Sequence, residues 1–466
     1  MSNELNDVLG DFRDSVIDLG ETTPEEPPVC EFLTGPAGCG KTYELQRRAR
    51  EDPSYGVLGA TTGVAAINLS TRTINSVLGF FNTVSLQDNY RLGYLQARLR
   101  RLALEDGYRN ILIDEVSMMS PSALQTIYEA VKEVNGQVGM QREGRKLGIV
   151  LSGDFCQLRP IYTKGEVDEG YAFNAQCWEE FAKHTTRLTK MWRQSDERFL
   201  EALNLLRAGK GGPATEVLKT LTRFQINVDP RFDGTTILST NQETDRANTI
   251  RMMQVQGRPV VVQSRRWGKP DASWHHIPDQ LQLKTNALVM ILANDSPEFT
   301  YVNGDLGHIK DFTTSDTGNN QTFQIELKRN GRVVNIGQIY RSTMTKDEPE
   351  EIKSGRLKIE DVPTCSPPTN PPAFGQISLD PERGIWHVGG ILYYPLRIGY
   401  ASTVHKSQGL SLDSVQVDYR GRFFGNPASL YVALSRCKSP SGLRLVGLEN
   451  VFIKRCNVDS AVVPWL

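Results

Sequence analysis

The segment GPAGCGKT, Gly35 to Thr42, carries the strongest chemical signal in the chain. It follows an apolar run, CEFLT, and precedes a helix-like stretch. In that context Gly35, Pro36, Ala37, Gly38, Cys39 and Gly40 form a loop whose backbone N–H groups can wrap phosphate oxygens. Lys41 neutralises the phosphate charge, and the Thr42 hydroxyl is placed to ligate Mg2+ at a helix N-terminus. The plainer alternative is an ordinary Gly-rich turn. NILIDEVS sets Asp114 and Glu115 at the end of an apolar strand, where an open parallel sheet gathers its ligands. Asp114 can hold Mg2+ through water, and Glu115 can orient and deprotonate an attacking water. Alone, such a pair could equally be a solvated strand end or a helix cap. With the phosphate loop upstream, it reads as a hydrolysis site. Gln157, in LSGDFCQLRP, can bond that water or the γ-phosphate; a surface glutamine beside a turn Asp154 is the competing reading. Arg193 in KMWRQSD and Arg436 in YVALSRCK have the planar, permanent charge that suits a γ-phosphoryl in transfer. Taken singly, each could be a surface ion pair. Both act together only if a second α/β domain closes on the first.

Elements that could position these groups are legible. The apolar runs CEFLT, GVLGA, NILID and GIVLSGD are each followed by a loop, and three lead into helix-like segments at 41–51, 63–69 and 121–134. That rhythm predicts parallel strands with right-handed helical crossovers, one α/β domain over 29–190. Residues 77–107 break the rhythm and read as a small insertion. A second α/β series occupies 191–307 and 396–466, with strands at TTILST, NALVMIL, SVQVDY and GLRLVG. Between its parts, 308–395 carries β-like pieces (TFQIEL, RVVNIGQIY, GIWHV, GILYYPL) and a charged, Pro-rich stretch, so a small β-rich module is expected there. Residues 1–28 are acidic and end in ETTPEEPP, which reads as a flexible arm or one short helix.

Composition limits the remaining possibilities. The chain has 466 residues, 53 Lys and Arg against 54 Asp and Glu, and a formal net charge of −1. A polycation held to nucleic acid by bulk charge is excluded, so any polyanion site must be built locally. The average hides an asymmetry: residues 1–31 hold nine acids and one base, Arg13, which leaves about +7 on the rest. Seven scattered cysteines without a C-x-x-C pair argue against a disulfide framework or a zinc site, and for reduced thiols inside a cell. No stretch approaches 18 consecutive apolar residues, so a soluble, intracellular protein without a membrane segment is expected.

Taken in order, GPAGCGKT, ATTGVAAIN with TINS, ILIDEVSMMS, GDFCQLRPI, RLTKMWRQSDERFLEALNLLRAG, VNGDLG, YASTVHKSQGLSLDSVQVD and YVALSRCKSPSGL resemble the motifs of superfamily-one DNA helicases. The match is closest to the petite-integration-frequency (Pif-type) branch, with Dda-like and RecD-like helicases as relatives, and runs from about residue 30 to 450. The resemblance implies an α/β fold of two RecA-like P-loop NTPase domains. It places a small wedge insertion (77–107) in the first and an SH3-like β insertion (308–395) in the second. ATP with Mg2+ would bind between the RecA-like domains, with single-stranded DNA across their tops and movement from 5′ to 3′. Lys41, Thr42, Asp114 and Glu115 would form the ATPase centre, Gln157 the γ-phosphate sensor, and Arg193 with Arg436 the arginine fingers; Gly409 would approach the γ-phosphate from the second domain. Thr62, Gly63 and Ser76 would contact the DNA backbone from one side, and Thr403, His405 and Lys406 from the other. For His405, a hydrogen-bonded core histidine is the alternative. Phe80 and Phe81, in the wedge, could stack on a base at the fork or form a small core. Arg91, Arg98, Arg100 and Arg101 read as phosphate contacts or as a solvated helix face.

The expected activity is therefore ATP-dependent unwinding of forked or tailed duplex DNA by a protein that is monomeric while it translocates. Two rivals remain. One is a superfamily-one RNA helicase; the other is a nucleic-acid-binding scaffold with a vestigial nucleotide site.

Overall fold

The computed structural model describes residues 27–62, 65–66, 71–80, 82–162, 166–270, 277–293, 295, 300–301, 305–314, 321–345, 348–365, 370, 372–381 and 385–466. The expected acidic arm therefore lies almost wholly outside the described residues. The described chain forms two units: residues up to Asp245 with Ala401–Leu466, and Arg246–Tyr400.

The first unit contains two parallel sheets. In the first, strands β1 (Cys30–Thr34), β2 (Val57–Ala60), β3 (Arg72–Thr73), β4 (Asn110–Asp114), β5 (Gly148–Gly153) and β6 (Thr185–Arg187) take the order β3-β2-β4-β5-β1-β6. The four expected strands are β1, β2, β4 and β5. All six residues of β5 are buried, as are the last four of β4. Strands covered on both faces read as continuous apolar runs, which is why they were visible in the sequence. Because the pairing is parallel throughout, the loops after β1, β4 and β5 leave from the same edge of the sheet. The phosphate loop, the Asp114–Glu115 pair and Gln157 are brought to one edge by that geometry.

The expected insertion at 77–107 is built on helices Ile74–Leu78, Thr83–Arg91 and Tyr94–Leu104. Leu86, Leu95, Leu99 and Leu102 share one continuous core with Ile127 and Val131 of the helix Pro121–Asn135 and with Phe32 and Ile111 of the sheet. The segment is packed into the first domain rather than carrying a core of its own.

The second sheet contains β7 (Phe224–Gln225), β8 (Thr235–Leu238), β20 (Ala401–Thr403), β21 (Val415–Asp418) and β22 (Leu443–Val446), in the order β20-β8-β21-β22-β7 and again all parallel. The final turn, Ser460–Trp465, returns to the core of the first sheet. There Trp465 lies among Phe32, Phe155, Phe173 and Trp178, with ring centroids 5.2–5.7 Å away.

The second unit differs from expectation in extent and in one strand. NALVMIL was expected in the second parallel sheet. Its strand β12 (Leu288–Ile291) instead pairs antiparallel with β13 (Leu306–Thr314) and β19 (Leu396–Ile398). Together with β14 (Gln321–Leu327) and β15 (Val333–Ile336) they form a five-stranded sheet, β15-β14-β13-β12-β19. A further sheet is built on β18 (Ile385–Tyr393), flanked by β10 (Arg265–Gly268) and β16 (Ile339–Thr345) and also paired with β17 (Ser378–Asp380). The unit therefore begins well before the expected boundary at 308. No helix among the described residues is long and apolar enough to cross a membrane.

Candidate active site

The phosphate loop owes its shape to its glycines. Gly35 and Gly38 have φ of 151° and 90°. A Cβ at Gly35 would sit 2.3 Å from the Leu188 carbonyl oxygen, and one at Gly38 would sit 2.8 Å from the Arg193 Cβ. Only glycine permits both the backbone conformation and the close approach of the Leu188–Gln194 segment. Gly40, also at positive φ, leads into the helix Lys41–Glu51. Lys41 is buried and donates from Nζ to the carbonyls of Gly35 (2.8 Å) and Pro36 (3.0 Å). Its ammonium is thus held inside the loop whose phosphates it would neutralise.

The Thr42 hydroxyl donates to Asp114 Oδ2 at 2.7 Å. These two hard oxygen donors fit Mg2+, which usually takes few protein ligands and fills its shell with water and phosphate oxygens. Among the described residues no cluster of three or more acidic, His or Cys groups could hold a metal, so the pair would need a phosphate to complete a site. Glu115 follows in the left-handed conformation, φ 56°. The Thr61 hydroxyl donates to its backbone carbonyl at 2.7 Å. Burial, then repulsion from Asp114, pushes the Glu115 carboxyl above the ordinary range, while Lys41 and Arg436 pull it back. A carboxylate shifted upward is a stronger proton acceptor, provided nearby cations keep it ionised.

The segments that follow the first sheet and end the second sheet close round this pair. Gln408 donates from Nε2 to Glu115 Oε2 at 3.2 Å. Arg193 is half-buried, its Nη1 donating to the Ser435 carbonyl at 3.1 Å, and burial lowers its pKa. Arg436 is 1% exposed; it donates to the Val432 carbonyl and the Ser435 hydroxyl. Burial first, and then the neighbouring positive Arg193, bring Arg436 down to about 9, against the pull of Glu115. Two guanidinium groups crowded in this way gain most from an added anion. Gln157 is 3% exposed with its Oε1 unpartnered among the described residues. Gly409 adopts φ 79° directly after Gln408.

Lys41, Thr42, Asp114 and Glu115 are thus brought together, with Arg436 facing Glu115 and Arg193 beside Arg436. Sequence reasoning gives no role to Gln408, although it stands directly before Gly409 in YASTVHKSQGLSLDSVQVD. It also missed Gln194, which donates to the carbonyls of Ser435 and Cys437, and Tyr431, whose hydroxyl meets the phosphate loop at Ala37. Only the position of Tyr431 in the same motif as Arg436 could have drawn attention to it.

Of the residues expected to touch DNA, Gly63 and Phe81 lie outside the described residues. Thr62 accepts from the Ala65 N–H, Ser76 is exposed, and Thr403 caps the short helix Val404–Ser407 by accepting from the Lys406 N–H. His405 and Lys406 are half-buried, and burial lowers the His405 pKa, which favours the neutral ring. Phe80 is corrected: it is 7% exposed and packed in the first-domain core, so its ring has no open face for a base. Arg98 and Arg101 likewise have protein partners, Arg98 on the Val77 carbonyl and Arg101 on Glu105. Thr62 directly follows Thr61, which holds the Glu115 backbone, and His405 stands three residues before Gln408, which holds its carboxylate. Each side of the expected DNA track is therefore joined by a few residues of backbone to a contact with Glu115, one at its main-chain carbonyl and one at its carboxylate.

Residues 11–207 match the family model described as PIF1-like helicase. The "ATP-dependent DNA helicase Pif1" of Bdellovibrio bacteriovorus is 29% identical over 436 residues, covering 89% of this chain and 84% of that protein. The human "ATP-dependent DNA helicase PIF1" is 26% identical over 438 residues, and the match covers 91% of this chain but 59% of that protein. In structure, the chain is similar to the Pif1 helicase of Candida albicans, with a TM-score of 0.68 at 24% identity, covering 100% of this chain and 98% of the other. That likeness gives the fold: two RecA-like domains.

Proposed function

A homologue of the Pif1 helicases in sequence and fold, the chain is, we propose, an ATP-dependent DNA helicase that moves 5′ to 3′ on single-stranded DNA and separates forked or tailed duplexes. The observation that carries this reading is the convergence of Gln408 and Arg436, from the second sheet's side, on Glu115 beside the phosphate loop. Hydrolysis at such a centre depends on contact between the two RecA-like domains.

In this mechanism the N–H groups of the phosphate loop and Lys41 hold the β- and γ-phosphates of ATP. Thr42 and Asp114 would hold Mg2+, which when bound withdraws charge from the phosphate oxygens. Glu115 takes the proton of the attacking water, Gln157 bonds the γ-phosphate or that water, and Arg193 with Arg436 stabilises the charge of the transferring phosphoryl. Hydrolysis frees the γ-phosphoryl as phosphate, and its departure removes the anion that the two guanidinium groups share, so the domains separate. Thr62, Gly63 and Ser76 on one side and Thr403, His405 and Lys406 on the other then grip DNA alternately. Coupling follows if ATP and DNA each bind the closed and open states with different affinity. The protein translocates as a monomer, inside the cell.

The test is ATP turnover with and without single-stranded DNA, together with unwinding of duplexes bearing 5′ or 3′ tails. DNA-stimulated turnover and unwinding of 5′-tailed substrates alone are expected, both abolished in Lys41→Ala and Glu115→Gln. Stronger stimulation by RNA would favour an RNA helicase. Zero turnover with DNA present would favour a scaffold, and unwinding from 3′ tails would reverse the polarity.

A further inference from the structure

Tyr431 lies on the helix Ser429–Leu434, five residues before Arg436, and is 2% exposed. Its hydroxyl accepts from the Ala37 N–H of the phosphate loop at 2.7 Å and donates to Asp154 Oδ2 at 3.2 Å. Asp154 is itself fully buried. Arg207 donates to it from Nη2 at 2.8 Å, and the Cys156 N–H donates to it at 3.1 Å. Arg207 also donates to the Trp465 carbonyl. The Asp154 carbonyl accepts from the Gln157 N–H at 2.8 Å, which sets the turn that carries Gln157. One hydroxyl from the second-sheet side thus joins the two first-domain loops that would hold the γ-phosphate. Burial and the Asp154 charge keep the phenol protonated, so it can donate.

We propose that Tyr431 is a positioning residue for ATP binding: its hydroxyl ties the phosphate loop at Ala37 to the Asp154 turn, so that the loop's nucleotide-ready shape depends on contact with the helix that precedes Arg436. The proposal rests on the ATPase reading above. Arg193 and Gln194 both donate to the Ser435 carbonyl at the end of that same helix. The helix therefore fixes the loop at one end and the arginine pair at the other. When the hydroxyl is lost, Ala37 N–H and Asp154 Oδ2 are left without it in a buried place, and the contact between helix and loop weakens. A nucleotide must then restore the competent state at the expense of its own affinity, which raises KM rather than lowering kcat.

The experiment uses the full chain, as wild type, Tyr431→Phe, Asp154→Asn and the double variant. It measures ATP turnover with single-stranded DNA, binding of a fluorescent non-hydrolysable ATP analogue, and the unfolding midpoint without nucleotide. Phe fills the same space, so an unchanged midpoint is expected for Tyr431→Phe. KM and the analogue Kd should rise about tenfold, equivalent to about 1.4 kcal/mol, with kcat at saturation nearly retained. In analogue affinity the double variant should be no worse than the weaker-binding single one, because the Asp154 side chain reaches Ala37 of the loop through that hydroxyl. Unchanged affinity overturns the proposal. So does a fall in kcat and midpoint at constant KM, which is the mark of a purely structural residue. So do fully additive losses. A wild type that binds the analogue without hydrolysing ATP rejects the ATPase reading alone, and the variant's analogue affinity still decides the role of Tyr431. A wild type that binds no nucleotide rejects both.

Discussion

The two halves of the nucleotide site are built differently. Groups from the first sheet are satisfied by their own domain: Lys41 by the carbonyls of Gly35 and Pro36, and Thr42 by Asp114. Groups from the end of the second sheet reach across, Gln408 to Glu115 and Tyr431 to Ala37. The first half is a cradle held largely by its own hydrogen bonds, with one tie to the second half, at Ala37. The second half is a set of contacts that exist only when the two parallel sheets meet. Under the proposed mechanism, most of the groups that hold the phosphate chain lie in the first half, and the chemical step would be conditional on closure by the second.

The sharpest way to break this comparison is to remove one charge from each half. Lys41→Ala should abolish nucleotide binding, because the cradle loses its only buried ammonium. Arg436→Ala should leave nucleotide binding within a few-fold and lower kcat by about 10^3–10^5, the usual worth of an arginine finger. Arg436 is also a large, fully buried side chain, so Arg436→Lys serves as the control. It retains charge and most of the volume but not the planar fork, and should fold normally with most of the defect. Equilibrium binding of a fluorescent nucleotide and single-turnover hydrolysis separate the two effects. If Arg436→Ala lost binding as fully as Lys41→Ala, the division between cradle and closure would be wrong.

Much of the cradle was legible because its spacing carries its own mechanism: a loop, a Lys and a Thr at fixed offsets after a strand admit few other readings. The strands of the first sheet were equally readable from apolar runs with loops between them. NALVMIL failed on the same rule. Leu288–Ile291 are all buried, and a short apolar run gives burial on both faces without saying whether its neighbours are parallel. Those neighbours, at 306–314 and 396–398, lie on either side of a long interval. Phe80 was left open between a base and a core for a related reason, since an aromatic between two helical segments looks the same whether it faces a core or a ligand; it lies in the core. The closure contacts were illegible altogether. Tyr431 and Ala37 are separated by 394 residues, and Gln408 and Glu115 by 293. No local pattern reports such a pair.

The return of the chain end to the first core sharpens the comparison from the side of stability. Trp465 belongs to the second half of the sequence, yet its ring completes the aromatic cluster of Phe32, Phe155, Phe173 and Trp178. Trp465→Ala should cost about 2–4 kcal/mol, from lost burial and the cavity left beside Phe32 and Phe155. The carbonyl that receives Arg207 is backbone and remains. A lower urea midpoint with KM for ATP little changed is expected. A large rise in KM at unchanged stability would mean that the chain end, not only Tyr431, sets the closed arrangement.

The same comparison extends to DNA with the smallest expected effects. Ser76, on the first side, is exposed and neutral; Lys406, on the second, carries charge and stands two residues before Gln408. Ser76→Ala removes at most one neutral hydrogen bond to a phosphate, so single-stranded DNA affinity should fall only a few-fold, with the same dependence on salt. Lys406→Ala removes a counterion-releasing contact. Affinity should fall at low salt, and the slope of log K against log salt should become shallower by about 0.7. Because Lys406 shares its short helix with the approach to Gln408, the loss of DNA affinity should be accompanied by weaker DNA stimulation of ATP turnover. Titrations of fluorescent oligonucleotide at several salt concentrations, paired with turnover at saturating DNA, read both quantities. Equal salt slopes in Lys406→Ala and wild type would remove Lys406 from the DNA track and leave the second half of the molecule without a charged DNA contact among the residues expected there.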